Sequence, residues 1–260
     1  MNDQSDDKPG YLAKKQRYDN MITLFGRKPV LEVLRSSNTD IHRLHLATTN
    51  KTAPVMEEIE KLAVSRHIEI HHHNRQELSR ISKNARQDQG VAVDIVAPNY
   101  QSLDDLVAQD INPGFELLLL DRITNPQNLG MIIRSVAASP MAGMVLPKNG
   151  CARLDPLVYK ASAGTLFKAT IYHCAGIDSA IRELKLKGLT VCGLDAGADT
   201  SLADLQDNLP RVLVIGNETD GLSPEVRMAC DQLVNIPLAN QVESLNVAAV
   251  AALVAFRTVV

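Results

Sequence analysis

The chain of 260 residues has no tryptophan, and aromatic residues make up only 3% of it. Its core must therefore be built from Ala, Val, Leu and Ile. No apolar run reaches the roughly 20 residues of a membrane-spanning helix, which excludes such a span from the reading. Cysteine is scarce and scattered: Cys151, Cys174, Cys192 and Cys230 are far apart in sequence, so no zinc knuckle or redox pair is written here. Cys174 and Cys192 lie in apolar, strand-like stretches and read as buried, inert thiols. The net charge of −3 argues against a strongly basic nucleic-acid binder. No Gly-x-Gly-x-x-Gly follows a strand-like run and no Walker loop occurs, so the usual dinucleotide and P-loop fingerprints are missing; a nicotinamide enzyme on an ordinary α/β sheet loses its main support. The run His71-His72-His73 invites a metal reading. Consecutive strand residues point to alternate faces, and further ligands at metal spacings are lacking, so no metal is expected.

A hydrophobic content of 45% suffices for a full core, and the length implies one or two domains. Met1 to Asn20 is polar and of mixed charge, not a signal peptide; a flexible tail (1–20) and a cytoplasmic protein are the expectations. Charge is unevenly spread. Residues 21–97 hold eleven Lys/Arg against nine Asp/Glu and six of the seven histidines, whereas 98–260 hold twelve against seventeen. The first part therefore suits a polyanion partner better than the second.

Between 21 and 97, short helical and strand-like patterns alternate and predict a small α/β domain. Its densest basic cluster is Arg75, Arg80, Lys83 and Arg86, on or just after a helix predicted over 74–81. Such a cluster is either a solvated face or a set of phosphate contacts. Residues 98–114 read as a linker with a short helix over 103–108; Asn112-Pro113-Gly114 is a strong turn signal. From 115 to 260 the alternation restarts with continuous apolar strands, at 116–120 and 212–215 above all. Runs of that kind between helices predict a parallel sheet covered on both faces.

In an open parallel sheet, ligands sit beyond the carboxyl ends of the strands, and three such ends carry unusual polar residues. The first is Asp121…Asn125-Pro126-Gln127-Asn128-Leu129-Gly130…Arg134. Asn128 reads either as a helix cap or as a binding group. Arg134, on an otherwise apolar helix, is expected to pair with Glu218, Glu243 or a ligand phosphate, because a buried guanidinium needs a partner. The second is Gly216-Asn217-Glu218-Thr219-Asp220-Gly221-Leu222, whose glycines allow close approach to the backbone. The third is Ile236-Pro237…Glu243-Ser244-Leu245-Asn246-Val247, ahead of a long Ala/Val/Leu-rich helix. Alone, Ser244 reads as the cap of that helix.

Together these stretches resemble the three motifs of the SpoU (TrmH-type) RNA 2'-O-ribose methyltransferases, within the SPOUT superfamily, and Lys160-Ala161-Ser162-Ala163-Gly164 matches a further stretch common there. The resemblance covers about 115–257. Residues 22–97 resemble, less specifically, the family's ribosomal-protein-like substrate-binding domain, through Phe25-Gly26…Pro29-Val30 and Gln89-Gly90-Val91. It implies S-adenosylmethionine as cofactor, a ribose 2'-hydroxyl in rRNA or tRNA as acceptor, a C-terminal trefoil knot, and a homodimer formed through the C-terminal domain. It further implies catalytic roles for Asn128, Arg134, Glu218, Ser244 and Asn246, and cofactor contacts at Leu194, Gly216, Ile236 and Leu245. Two departures stand out: Thr219-Asp220 before Gly221, and Ser139-Pro140-Met141-Ala142-Gly143. The competing reading is a non-catalytic RNA-binding or ribosome-assembly protein that retains the fold.

Overall fold

A computed structural model describes residues 21–36, 39–84, 86–96, 100–206 and 208–259. The expected tail at 1–20, with Lys14, Lys15 and Arg17, lies outside the described residues. The chain divides into two compact units, Met1–Pro98 and Asn99–Val260.

In the first unit, strands β1 (Met21–Phe25), β2 (Asp40–Ala47), β3 (Glu69–His73) and β4 (Val91–Val96) form a sheet in the order β1-β4-β2-β3. Only the β2–β3 pair is parallel. Helices α1 (Arg27–Arg35) and α2 (Pro54–Ser65) pack on each other. Helix α3 (Arg75–Ser82) packs on β1, β2 and β4. Asn74 starts α3 through a capping box: its side chain accepts from the Glu77 amide, and the Glu77 carboxylate accepts from the Asn74 amide. This satisfies two end groups of a helix too short to hold itself.

The period-two rule for the histidine run holds. His71 and His73 turn toward His45 on β2, while His72 is exposed. His45 uses both ring nitrogens, Nδ1 to His73 Nε2 and Nε2 to Asp94 Oδ2, each at 2.9 Å. Thr23 Oγ1 donates to the other Asp94 oxygen at 2.6 Å. The histidines thus stitch β3 to β2 and β4.

The second unit carries an eight-stranded sheet, β10-β12-β9-β11-β6-β7-β8-β5, parallel at every pairing. Its strands are β5 (Tyr100–Ser102), β6 (Glu116–Leu120), β7 (Gly143–Pro147), β8 (Ile171–Cys174), β9 (Thr190–Leu194), β10 (Thr200–Ser201), β11 (Arg211–Ile215) and β12 (Gln232–Asn235). Its helices are α4 (Leu103–Val107), α5 (Pro126–Ala138), α6 (Pro156–Ala161), α7 (Ile177–Leu186), α8 (Pro224–Ala229) and α9 (Val247–Ala255). Leu117 to Leu120 are fully buried, with alternate residues serving two separate hydrophobic clusters. Burying each contributes about 1.5–3 kcal/mol as an upper estimate, and this is why the strand has no polar face. Two expectations change here. Most of 98–114 is not a linker: Tyr100–Ser102 forms the edge strand beside β8, and α4 buries Leu103 and Leu106. The last helix is also short, nine residues from Val247.

Helices α5, α6 and α9 gather on one face, with α5 against both of the others. Gly130 permits the α5–α6 approach. A Cβ there would stand 2.4 Å from Ala161 Cβ and 2.7 Å from the Val158 carbonyl oxygen. The Lys160–Gly164 stretch is thus the partner surface of Gly130.

Candidate functional site

The loops after β6, β11 and β12 meet at the carboxyl ends of these strands. After β6, Asn125 rather than Asn128 caps α5, its side chain accepting from the Gln127 amide at 2.8 Å. Pro126 then takes the first helical position, where its missing N–H costs nothing. Asn128 falls in the first turn and is buried. Its Nδ2 donates to Glu218 Oε1 in a short hydrogen bond, and its Oδ1 accepts from Asn246 Nδ2 at 3.3 Å. Asn246 is the cap of α9, accepting from the Ala248 amide at 2.9 Å. Ser244 is not the cap. The bonds run in one direction, from the Ala248 amide through Asn246 and Asn128 to a carboxylate that only accepts. That end fixes which way both amides point.

A cavity of about 380 Å3 opens beside this chain of bonds, within the usual range for small-molecule sites. Its floor is the ends of β9, β11 and β12, through Leu194, Ile215 and Val234. Gly216 and Glu218 form one wall, and Ile236, Ser244 and Leu245 form another. The four residues expected to hold the cofactor, Leu194, Gly216, Ile236 and Leu245, therefore line one space, with Glu218 and Ser244 beside them. Carboxylates of Asp195, Glu218 and Glu243 line it, and no Lys, Arg or His does among the described residues. Asp195 is held below the usual carboxylate range by a hydrogen bond from Arg227 Nε at 2.6 Å.

The turn carrying Gly216 folds tightly on itself. Asn217 and Gly221 exchange backbone hydrogen bonds of 3.0 and 2.9 Å. A Cβ on Gly216 would meet the Gly221 carbonyl carbon at 2.2 Å, so only glycine fits.

Arg134 departs from expectation. It is exposed, makes no hydrogen bond or ion pair among the described residues, and does not line the cavity. Glu218 is engaged by Asn128 instead. The cause is helical phase: six residues at 100° each carry Arg134 well round α5 from Asn128, onto the outward stripe with Met131. Arg75, Arg80, Lys83 and Arg86, in the first unit, are all exposed and free of ion pairs among the described residues. Asn235 and Val250 also line the cavity and were not singled out by sequence. Val250 stands one turn after Val247, so helical spacing would have found it. Asn235 carries no such signal.

Cys174 and Cys192 are buried, as expected, and Cys151 and Cys230 are partly so. Burial pushes the Cys174 thiol up to about 12 and that of Cys230 up to about 11, and raises Cys151 and Cys192. None is a ready thiolate near neutrality.

Residues 116–256 match the model of the SpoU rRNA Methylase family, and residues 23–101 match the model for RNA 2'-O ribose methyltransferase substrate binding. A protein named as an uncharacterized tRNA/rRNA methyltransferase from Mycobacterium ulcerans (strain Agy99) is 35% identical over 92% of this chain and 76% of its own length. One of the same kind from Mycobacterium leprae (strain TN) is 36% identical over 89% and 74%. Among solved structures, the SpoU methyltransferase AviRb from Streptomyces viridochromogenes in complex with AdoMet shares the fold. Its TM-score is 0.65 at 22% identity, covering 99% of this chain and 93% of that one. An AdoMet-bound rRNA methyltransferase from Sinorhizobium meliloti gives 0.64 at 23%, covering 99% and 95%. On two adjoining family matches and relatives aligned over most of their length, the chain belongs to the SpoU rRNA methylase family.

Proposed function

We propose that the chain transfers a methyl group from S-adenosylmethionine to the 2'-hydroxyl of a ribose in ribosomal or transfer RNA. The observation that carries this reading is convergence: three loops place Asn128, Glu218 and Asn246, with Asn128 and Asn246 118 residues apart, in one bonded chain beside one cavity. That cavity fits the cofactor. It has room, apolar walls for an adenosyl group, and carboxylates without a competing cation, suited to a positive sulfonium. Leu194, Gly216, Ile236 and Leu245 would hold the cofactor, which supplies an activated methyl group when bound.

A ribose hydroxyl is a poor nucleophile, so the chain's task is positioning and proton removal. Asn128 and Asn246 orient the ribose, Ser244 lines its approach, and Glu218 keeps Asn128 in place. Arg134, exposed and without an ion pair among the described residues, is free to hold an RNA phosphate, whose oxygen takes the hydrogen bond of the 2'-hydroxyl while its proton passes to solvent as the methyl is transferred. Arg75, Arg80, Lys83 and Arg86 add phosphate contacts from the first unit, where uncompensated cations favour a polyanion.

The proposal includes a homodimer through the second unit. Met131, Leu157 and Leu253 are exposed apolar side chains on α5, α6 and α9, helices that share one face, and Arg134 is one turn from Met131. Sedimentation at micromolar concentration checks the dimer, and a monomer contradicts it. A trefoil knot in the C-terminal segment and a cytoplasmic setting belong to the same proposal.

The test is incubation with methyl-labelled S-adenosylmethionine and unmodified rRNA or tRNA, followed by nucleoside mass spectrometry. A ribose-methylated nucleoside is expected. Label on a base, or binding of RNA without any transfer, would replace this reading, the second with that of an assembly protein.

A further inference from the structure

The departure Thr219-Asp220 lies in the turn that walls the cavity, and a neighbouring residue explains how it is accommodated. Arg122 follows β6 with φ +58°, a left-handed conformation that is disfavoured for a non-glycine residue. Its side chain is 38% exposed. Nη2 donates to the Gly221 carbonyl oxygen at 3.1 Å, and Nη1 lies 3.7 Å from Asp220 Oδ2. In return, Asn217 Nδ2 donates to the Arg122 carbonyl oxygen at 3.1 Å. Asp121, next to it, is buried; its Oδ2 accepts from the Ser223 amide at 2.6 Å. The turn is thus fastened at both ends to the two residues after β6. The Thr219 amide donates to Asn217 Oδ1 at 2.8 Å.

We propose that Arg122 is a positioning residue that locks the cofactor-side turn Asn217–Gly221 to the loop leading into Asn125 and Asn128, on the RNA side. This rests on the methyltransferase reading of the cavity. The left-handed backbone aims one guanidinium at both Gly221 and Asp220 while offering the carbonyl to Asn217. Without it, Gly216 and Glu218 lose the brace that holds them at the cavity wall. Asp220 is the weak arm. Its side chain is 66% exposed, where an ion pair adds little.

Two measurements on the full chain test the lock. In hydrogen exchange on the unliganded protein, Arg122→Ala should speed exchange of peptides spanning 216–223 by about tenfold, the worth of one charged hydrogen bond. Peptides from β6 and β7 should stay unchanged. Calorimetry with S-adenosylmethionine should give a Kd raised about tenfold in Arg122→Ala. Arg122→Lys should not restore it, since an ammonium lacks the planar fork. Asp220→Ala should fall within about twofold, and adding it to Arg122→Ala should cost nothing more, because it acts only through Arg122. Unchanged exchange at 216–223, an unchanged Kd, full rescue by lysine, or additive losses would each overturn the proposal. A wild-type chain that fails to bind S-adenosylmethionine removes the methyltransferase reading and the positioning role together; the exchange result, which needs no ligand, tells that failure from a missing lock.

Discussion

At the scale of single residues, Asn128 and Arg134 are separated by environment, and their variants should differ accordingly. Arg134 is exposed and unpaired among the described residues. Arg134→Ala should leave stability within about 0.5 kcal/mol yet abolish methyl transfer; retained turnover would remove Arg134 from the mechanism. Asn128 is buried between Glu218 and Asn246. Asn128→Ala should both stop transfer and cost about 1–3 kcal/mol in urea unfolding, since two polar partners are left wanting. The residue types at this site were legible in sequence, because polar groups at strand ends of an apolar sheet have few structural uses. Their partners were not. Pro126 decides that Asn125 is the cap, which frees Asn128, and helical phase decides that Arg134 faces out. A one-dimensional motif shows spacing but not which neighbour a side chain meets.

Among the elements, α5 and α6 depend on the absence of a side chain at Gly130. Gly130→Ala would force a methyl within 2.4 Å of Ala161 and should cost about 1–3 kcal/mol by overpacking; a neutral change would show that α6 shifts freely. In the first unit, the histidine stitch gives the sheet a pH dependence. Burial, then the nearby His45, lowers His73 below 6.5. For Asp94, burial pushes the carboxyl up, but hydrogen bonds from His45 and Thr23 outweigh it and leave it lowered. In both cases the unfolded chain binds protons before the folded one, so stability falls as pH falls. For His73 the loss begins as pH drops through 6.5; for Asp94 it follows below the ordinary carboxylate value of 3.8. NMR titration of His73 should give a midpoint below 6.5, and one at or above that value contradicts the network. Strands such as Leu117–Leu120 were readable because burial on both faces leaves a continuous apolar run. The edge strands β5 and β10 were missed for the converse reason. Tyr100-Gln101-Ser102 and Thr200-Ser201 are short and polar, and pairing with one neighbour leaves no hydrophobic trace.

Across the whole second unit, one buried carboxylate links distant parts of the chain. Glu116 begins β6 and lies 3.3 Å from Arg211 Nε at the start of β11. Both its oxygens accept from Arg257 Nε, just after α9, at 3.1 and 3.2 Å. Glu116→Ala would take the shared carboxylate away from two buried guanidinium groups and should cost about 3–5 kcal/mol, read as a lowered urea midpoint. This ion cluster ties the end of the chain to the first strand of the methylase region, and so holds α9 and its cap Asn246 over the cavity.

The central claim is that this cavity and the Asn128–Glu218–Asn246 chain serve ribose methylation. Its most direct test is mass-spectrometric mapping of nucleosides from rRNA and tRNA treated with S-adenosylmethionine and either the native chain or Arg134→Ala. The account predicts a 2'-O-methylated nucleoside with the native chain and none with the variant; methylation of a base, or none with the folded native chain across both RNA classes, would contradict it.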